Sequence, residues 1–597
     1  MRISEGGRPP SGSPPGVGNV KPAPEGAKQL ETIINIVGGV ALLLWGIRMV
    51  RTGITRSFGA DLRRALAASA RNRMTGLAAG FGVTTILQSS TATALIVSSF
   101  AGQGMIAGIA ALAIMLGADV GSTMIVQALS LDLDWLSPVL VAVGVFVFLS
   151  TENSRRRAVA RALIGLGLML LSLRLIAMGA LPFRESEAMA VLVGPLTNEP
   201  LLAVVFAAAI TWASHSSVAV VLLIMSLAGM QVLNTQLAMT MVLGANLGGA
   251  LAAVGLTAKA VPAMRRVPLG NLLMRLVGVF AALPFVPFVQ PYLTMLGDTP
   301  ERLLANFHTG FNLALVVLFL PLLALVDRAV RLVLRDRPAE DDPGSPRYLD
   351  EGALDTPSVA LTGATREALR MGDAVKSMLS SAQDVLRTND AGLRKTVEAQ
   401  DDVVDRLHEA IKLYLTRLTE EELDKQESRR SIEILSFTTN LEHVGDIIDK
   451  NLMELAAKKI KGHISFSAEG QRELEAFHDR ILQNLDLALH VFVSGDEEAA
   501  RKLLHEKTAI RDLERRYVEN HFRRMGERRP DTLDSSSLHL DVLRDLKRVN
   551  SHLTSVAYPI LERLGVLTES RLIEDAERER IGAVSPPLGA QPKRGDG

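Results

Sequence analysis

The chain has 597 residues, 48% of them hydrophobic, and contains no cysteine. Lys plus Arg and Asp plus Glu each number 64, so the formal net charge is zero. The length calls for more than one domain. The missing cysteine excludes disulfides, thiolate metal sites and cysteine nucleophiles, and the neutral balance argues against a globally basic nucleic-acid binder.

The charge is unevenly spread. Residues 1–337 carry 26 Lys/Arg and 15 Asp/Glu, a net of +11, and residues 338–597 carry the balancing −11. The first part is rich in Leu, Val, Ala and Gly and gathers its charges between long apolar stretches. The second is charged throughout and reads as soluble helices.

Residues 1–28 are rich in Gly, Pro and Ser with almost nothing to bury, which predicts disorder, and they lack the apolar core of a signal peptide. Apolar segments follow at Ile33–Val50 and at about 74–104, 106–130, 136–150, 160–181, 201–229, 236–257, 267–290 and 307–327. A helix needs roughly 20 apolar residues to cross the hydrocarbon core, so the pattern predicts a polytopic membrane protein. The loops 51–73, 155–161, 259–266 and 328–337 are basic, and those between them lean acidic through Asp132, Asp134, Glu185, Glu187, Glu199, Asp298 and Glu301. Basic loops stay inside, which predicts an outside N-terminus and a cytoplasmic second half.

Residues 84–122 and 211–249 align without a gap at a constant offset of 127. Ser89-Ser90 falls on Ser216-Ser217, Leu116-Gly117-Ala118 on Leu243-Gly244-Ala245, and Gly121 on Gly248. The first copy starts after a basic loop and the second after an acidic one, so the repeat is inverted, the architecture of secondary transporters. Each copy makes one net crossing yet holds two apolar blocks, which predicts that the first block enters and returns as a re-entrant hairpin. Gln88-Ser89-Ser90-Thr91 and His215-Ser216-Ser217 would then form the two tips. Hydroxyls and free N–H groups at half-helix N-termini suit an anion, and freed carbonyls suit Na⁺. The competing reading is that such serines only bond their own backbone or join helices.

These residues resemble the sodium-dependent phosphate cotransporters (the type II Na⁺/phosphate symporters and their bacterial relatives), whose members carry a duplicated Gln-Ser-Ser-Ser motif, each followed by a Gly-Ala-Asn-x-Gly-Thr-like segment. The match spans roughly 31–330. Gln88, Ser89 and Ser90 correspond to one motif, Ser216 and Ser217 to the other, and Asn246 to the later segment. The resemblance implies a phosphate and Na⁺ site between the hairpins in a bacterial inner membrane. Thr91 and Val218 replace the third serines, His215 the second Gln, and Asp119 the first Asn. Asp119 reads as an added cation ligand, a proton carrier or a neutral structural residue. His215 reads as an anion ligand, a group titrating near neutrality or a structural one. Arg174 and Arg275 read as snorkelling residues or as attractors of the anion. Asn306, His308 and Asn312 read mainly as interfacial caps.

Residues 338–357 form a Pro/Asp/Glu linker. Beyond it, apolar residues recur at helical spacing, as at Val403, Leu407, Ile411 and Leu415. Breaks near 388–390, 423–428, 462–467, 494–496 and 529–534 predict six helices over 358–570, a tandem pair of three-helix bundles, with a disordered tail at 571–597. This all-α half resembles the PhoU domain, a regulator of phosphate uptake with acidic metal-binding motifs. Glu442, Asp446 and Asp449 share one helix face by their spacing, and Glu398, Asp402 and Asp405 repeat that spacing on another. Two such faces suit a divalent or iron-type cation, and the second copy is poorer because Lys547 and Ser551 replace acids.

The leading expectation is a Na⁺-coupled inorganic phosphate transporter with a PhoU-like regulatory domain, not an enzyme, with no nucleic acid among its partners. A homodimer and a cytoplasmic phosphate-signalling protein are further partner candidates. The alternatives are proton-linked transport or export on the same fold, and a membrane-anchored regulator that no longer transports. A Walker phosphate loop is absent from the sequence, which argues against ATP-driven transport by this chain alone.

Overall fold

The computed structural model describes residues 25–69, 72–131, 133, 135–183, 187–335, 342–420, 423–527, 530–568 and 571–572. Most of the predicted disordered start, the loop acids Asp132, Asp134 and Glu185, and nearly all of the tail lie outside the described residues. Two compact units divide the chain, one from Met1–Ser57 and Ala65–Leu334, the other from Phe58–Arg64 and Arg335–Gly597.

Among the described residues, the regular elements of the first unit are all helices. Its elements are α1 (Glu25–Ser69), α2 (Arg73–Leu87), α3 (Ser90–Gly102), α4 (Gly108–Leu129), α5 (Leu136–Ser150), α6 (Ser154–Ala180), α7 (Glu187–Asn198), α8 (Pro200–Ser214), α9 (Ser217–Gly229), α10 (Thr235–Leu256), α11 (Pro262–Ala282), α12 (Val286–Thr294), α13 (Pro300–Phe319) and α14 (Leu323–Val333). Among the described residues, six helical stretches are long and apolar enough to cross a membrane. The predicted basic loop after Val50 is instead a continuation of α1 to Ser69. Nothing in that stretch, neither Pro nor a Gly pair, interrupts the helical ladder.

The repeat holds helix for helix. Adding 127 to the bounds of α2, α3 and α4 gives the bounds of α8, α9 and α10. α2 packs on α4 and α8 on α10, while α4 also meets α9 and α10 meets α3, a reciprocal exchange between the copies. Glycine makes the intracopy contacts close: a Cβ on Gly117 would strike the Leu77 carbonyl, and one on Gly244 the carbonyl of Val204, which again lies 127 residues on. At about 22 and 20 Å, helices the length of α2 and α3 are too short to cross alone. Each copy thus contains the expected hairpin of two half-length helices.

The second unit comprises α15 (Pro357–Thr388), α16 (Ala391–Thr419), α17 (Lys425–Asp446), a π-helical turn at Ile447–Leu452, α18 (Met453–Lys461), α19 (Ala468–Ser494), α20 (Glu497–Gly526), α21 (Pro530–Asp534), α22 (Ser536–Leu553) and α23 (Ala557–Arg563). α15, α16 and α17 pack together, as do α19, α20 and α22, and the two bundles meet through α15 on α19 and α17 on α22. The helix breaks fall where predicted, with Asn389 and Gly495 in left-handed conformation closing α15 and α19. Leu407, Ile411 and Leu415 lie in one continuous core with Val404, while Val403 is only partly buried. A two-residue antiparallel ladder, Leu567–Thr568 with Arg571–Leu572, follows α23. In the linker, the N–H groups of Arg347 and Tyr348 donate to Glu367 Oε2 at 2.9 and 2.7 Å.

Candidate phosphate and cation sites

Each hairpin breaks in the same way. α2 ends at Gln88, a left-handed residue at φ 56°, and α8 ends at His215, at φ 54°. Ser89 and Ser216 follow in extended conformation and cap the next helix. Ser89 Oγ accepts from the Ala92 N–H at 3.1 Å and Ser216 Oγ from the Ala219 N–H at 3.2 Å. The first serine of each pair is therefore an N-cap, which leaves its own O–H still free to donate. Ser90 and Ser217 come next, both buried, and their hydroxyls make no hydrogen bond among the described residues. These unpaired hydroxyls sit on the first turn of α3 and of α9, where N–H groups lack intrahelical partners and the helix dipole favours an anion.

The copies differ beside the serines. Thr91 is buried with its hydroxyl, whereas Val218 is buried with methyl groups only. Gln88 Oε1 is buried and unpartnered. His215 is exposed, with Nδ1 3.1 Å from the carbonyl of Ala213 in its own turn.

The centre of the first unit holds a charge. Arg275, from α11, is 1% exposed. Its Nε donates to Asp119 Oδ2 at 3.1 Å, Nη2 bonds Asp119 Oδ1, and Nη1 bonds the backbone carbonyl of Asn246. Asp119 and Asn246 occupy equivalent positions of the two copies, so one guanidinium from outside the repeat ties its halves together. Neither a snorkelling Arg275 nor a solitary Asp119 is observed; burial without a partner costs either charge several kcal/mol, and pairing offsets that. A Cβ on Gly249 would lie 3.4 Å from Ser217 Oγ and 3.5 Å from Arg275 Nη1, so the guanidinium stands beside the second serine pair.

Around this pair runs a polar layer where the sequence predicts mainly interfacial caps. Asn312 Nδ2 donates to Asn246 Oδ1 at 3.1 Å and to the His308 carbonyl at 2.9 Å, and both residues are 1% exposed. The cap of α13 is Thr299 instead. Asn306 accepts from Gln127 Nε2 at 3.2 Å. Asn271, which the sequence reading missed, is buried one turn before Arg275 on α11. Its Oδ1 is unpartnered, like Asn312 Oδ1 and Gln88 Oε1. The i, i+4 spacing of Asn271 with Arg275 was the available signal. Arg174 is exposed and lines a cavity of about 390 Å³ with Ser130, Ser226 and Glu301.

In the second unit the two predicted acidic faces come together. Asp401 of α16 feels the charges of Asp405 on its own helix, Asp446 of α17 and Asp449 of the π-helical turn. Asp449 in turn feels Glu398, Asp446 and Asp402. Burial, reinforced by Asp405, Asp449 and Asp446, pushes the Asp401 carboxyl up to about 7. Its Oδ1 is buried and unpartnered, 2.7 Å from where a Cβ on Gly445 would stand. Burial and the Glu398 charge likewise raise Asp449, against Lys450. Ligand atoms of Glu442, His443 and Asp446 lie within 4.8 Å of one another. Arg394 bonds Glu398 and Lys450 bonds Asp446, so part of the cluster is already neutralised. A crowd of carboxylates with one orphaned oxygen is a donor set for a hard cation. Sequence reasoning missed Asp401, which lies beside Asp402 in sequence but turns to the interior. In the other bundle the acids are paired: Asp545 with Arg544 and Arg548, Glu506 with Arg480, and Glu514 with Lys547.

Comparison with known proteins agrees with this division. Residues 42–178 and 183–291 match the Na⁺/Pi-cotransporter family, and residues 368–454 and 474–560 each match the PhoU domain. The chain is 40% identical over 532 residues to proteins of Escherichia coli K12 and Salmonella typhimurium named "Putative inorganic phosphate export protein YjbB", covering 89% of this chain and 98% of theirs. It is 24% identical over 302 residues to the uncharacterized protein YqeW of Bacillus subtilis, covering 51% of this chain and 98% of that one. The crystal structure of PhoU from Pseudomonas aeruginosa aligns at 20% identity and a TM-score of 0.32, over 34% of this chain and 97% of that one. The chain belongs to the Na⁺/Pi-cotransporter family and carries a PhoU domain in its second unit.

Proposed function

We propose that this chain carries inorganic phosphate across a bacterial inner membrane, coupled to Na⁺, with its PhoU domain on the cytoplasmic side regulating passage. The observation that carries the reading is the repeated helix break, matched at Gln88 and His215 and at Ser89 and Ser216, beside one buried arginine. A phosphate between α3 and α9 takes hydrogen bonds from Ser90, Ser217 and the first-turn N–H groups. Arg275 supplies the countercharge, because a guanidinium matches phosphate oxygens two at a time. Asp119 holds that guanidinium ready and is left to a cation when phosphate takes its place. The amide oxygens of Gln88, Asn271 and Asn312 offer acceptors to Na⁺, a hard cation.

The name of the enterobacterial relatives favours outward movement, and the ionisable Asp119 leaves a proton-linked variant as the second reading. Proteoliposomes holding the purified protein and ³²P-phosphate test both. Flux is expected to follow an imposed Na⁺ gradient and to fall at least tenfold in the Ser90→Ala/Ser217→Ala variant. Flux that ignores Na⁺ but follows pH sinks the sodium coupling, and undiminished flux in the variant sinks the site.

A further inference from the structure

The second unit contains a cavity of about 560 Å³ that neither transport nor the acidic cluster uses. It is lined by Lys425, Arg429 and Arg430 of α17, by Arg563 at the end of α23, and by the Phe492–Gly495 turn. One carboxylate, Glu433, shares the lining and pairs with Arg430 at 3.2 Å. Arg430 is clamped in place: its other nitrogen donates to the Phe492 carbonyl at 3.2 Å, and its guanidinium lies 4.7 Å over the Phe492 ring. That ring stacks on Phe437 at 4.1 Å, and both residues belong to the cavity lining. Lys425, Arg429 and Arg563 make neither an ion pair nor a hydrogen bond among the described residues, although residues 338–597 carry a net charge of −11.

An acidic domain with carboxylates to spare leaves three cations unpaired at one hollow, and like charges so gathered repel unless an anion joins them. The tandem copy does not repeat the cations of α17. The two matched PhoU stretches are related by an offset of 106, which puts Asp531, Ser535 and Ser536 opposite Lys425, Arg429 and Arg430. The cations are thus no requirement of the bundle. The volume lies in the range of small-molecule sites, roughly 300–1,000 Å³, and exceeds what one phosphate fills. Arginine forks suit phosphate oxygens, and the exposed apolar lining of Val493 and Pro559 suits the face of a flat ring.

We propose that this cavity binds a nucleoside polyphosphate, an effector distinct from the transported ion. The phosphate chain lies among Lys425, Arg429 and Arg563, and the base lies toward Val493 and Pro559. This stands whether or not the membrane half transports as proposed above.

Isothermal titration of the full-length protein in neutral-lipid nanodiscs tests it, with ATP, pyrophosphate and adenosine as probes and EDTA present to silence metal-bridged binding at the acidic cluster. ATP is expected to bind, pyrophosphate to compete, and adenosine alone to bind far more weakly. Arg429→Ala/Arg563→Ala, both exposed positions, is expected to weaken ATP at least ~30-fold, the scale of two lost charge-assisted bonds, and to elute as wild type on size exclusion. Glu420→Gln, outside the lining, leaves the affinity unchanged. Absence of ATP binding at millimolar concentration overturns the proposal. So does affinity indifferent to the double substitution, or adenosine binding as tightly as ATP.

Discussion

Asp119 and Asn246 stand 127 residues apart at equivalent positions of the repeat, and one buried side chain, Arg275, bonds the carboxylate of the first and the carbonyl of the second. The repeat is therefore asymmetric at its centre. One copy contributes a charge and the other a dipole, and the balancing guanidinium comes from neither. Cutting one partner of such a pair strands the other in a dry interior, a loss of about 3–5 kcal/mol. Arg275→Met and Asp119→Leu are each expected to lower the thermal midpoint in detergent sharply. The double substitution should recover most of that stability and none of the phosphate flux. A double variant as unstable as the singles would show that the pair is not an isolated charge couple.

The serines of each pair separate by role. Ser89→Ala and Ser216→Ala remove a cap and are expected to cost about 1 kcal/mol each in stability. Ser90→Ala and Ser217→Ala break no internal hydrogen bond, so stability should hold while the phosphate concentration at half-maximal flux rises. Comparing midpoints and flux across the four variants checks this, and identical behaviour of all four would refute the division.

Gly117 and Gly244 set the spacing of the hairpins. Alanine at either position meets a backbone carbonyl that cannot step aside, Leu77 or Val204, and overpacking of this kind costs about 1–3 kcal/mol. Gly82, with nothing within 4 Å of its Cβ position, is the control and should tolerate alanine. Thermal midpoints of the three variants provide the measurement.

Acid should loosen the second bundle of the PhoU domain. Burial lowers His478 to about 4, and burial together with the His521 charge lowers His539 to about 4. Both groups take up a proton more readily unfolded than folded. Their stability is complete above the ordinary histidine value near 6.5 and is lost as pH falls from there toward 4. Each contributes about 3 kcal/mol over that window. Hydrogen exchange of α19 and α22 peptides in the intact protein is expected to accelerate, after correction for intrinsic rates, between pH 7 and pH 5. His478→Leu should flatten the change in α19, and an unaltered slope would exclude that residue as a cause.

The acidic cluster makes the opposite kind of trade. Asp401→Asn relieves a carboxyl that burial and three acidic neighbours disfavour. In EDTA it is expected to stabilise the domain by about 1–2 kcal/mol, a discounted fraction of the full shift. In Mn²⁺ it should lose whatever stabilisation the metal gives the parent. Midpoints with and without Mn²⁺ decide, and a metal effect equal in both proteins would remove Asp401 from the donor set.

Much of this molecule can be read along the chain because its signals are local or periodic. Apolar runs of spanning length, turn chemistry at 388–390 and 494–496, and the offset of 127 each need only a window of sequence or two windows compared. The helix bounds of the two copies follow that offset because the same break residues, left-handed then capping, recur in both. The two acidic faces of the PhoU domain were legible from i, i+4 spacing for the same reason.

Partnership between distant segments was not legible. Sequence placed Arg275 on an apolar helix and Asp119 on another, and either looked like a lone charge needing water or an ion. Only the fold decided that they neutralise each other, because 156 residues separate them and no periodic signal links their helices. Asp401 was hidden likewise: its neighbour Asp402 has the better spacing, but the packing of α16 turns Asp401 inward. Length, charge split and repeat determined what kind of protein this is. Tertiary structure decided which of its polar groups face one another, since the cost of burying a charge depends on what lies within a few ångströms and not on what lies nearby in sequence.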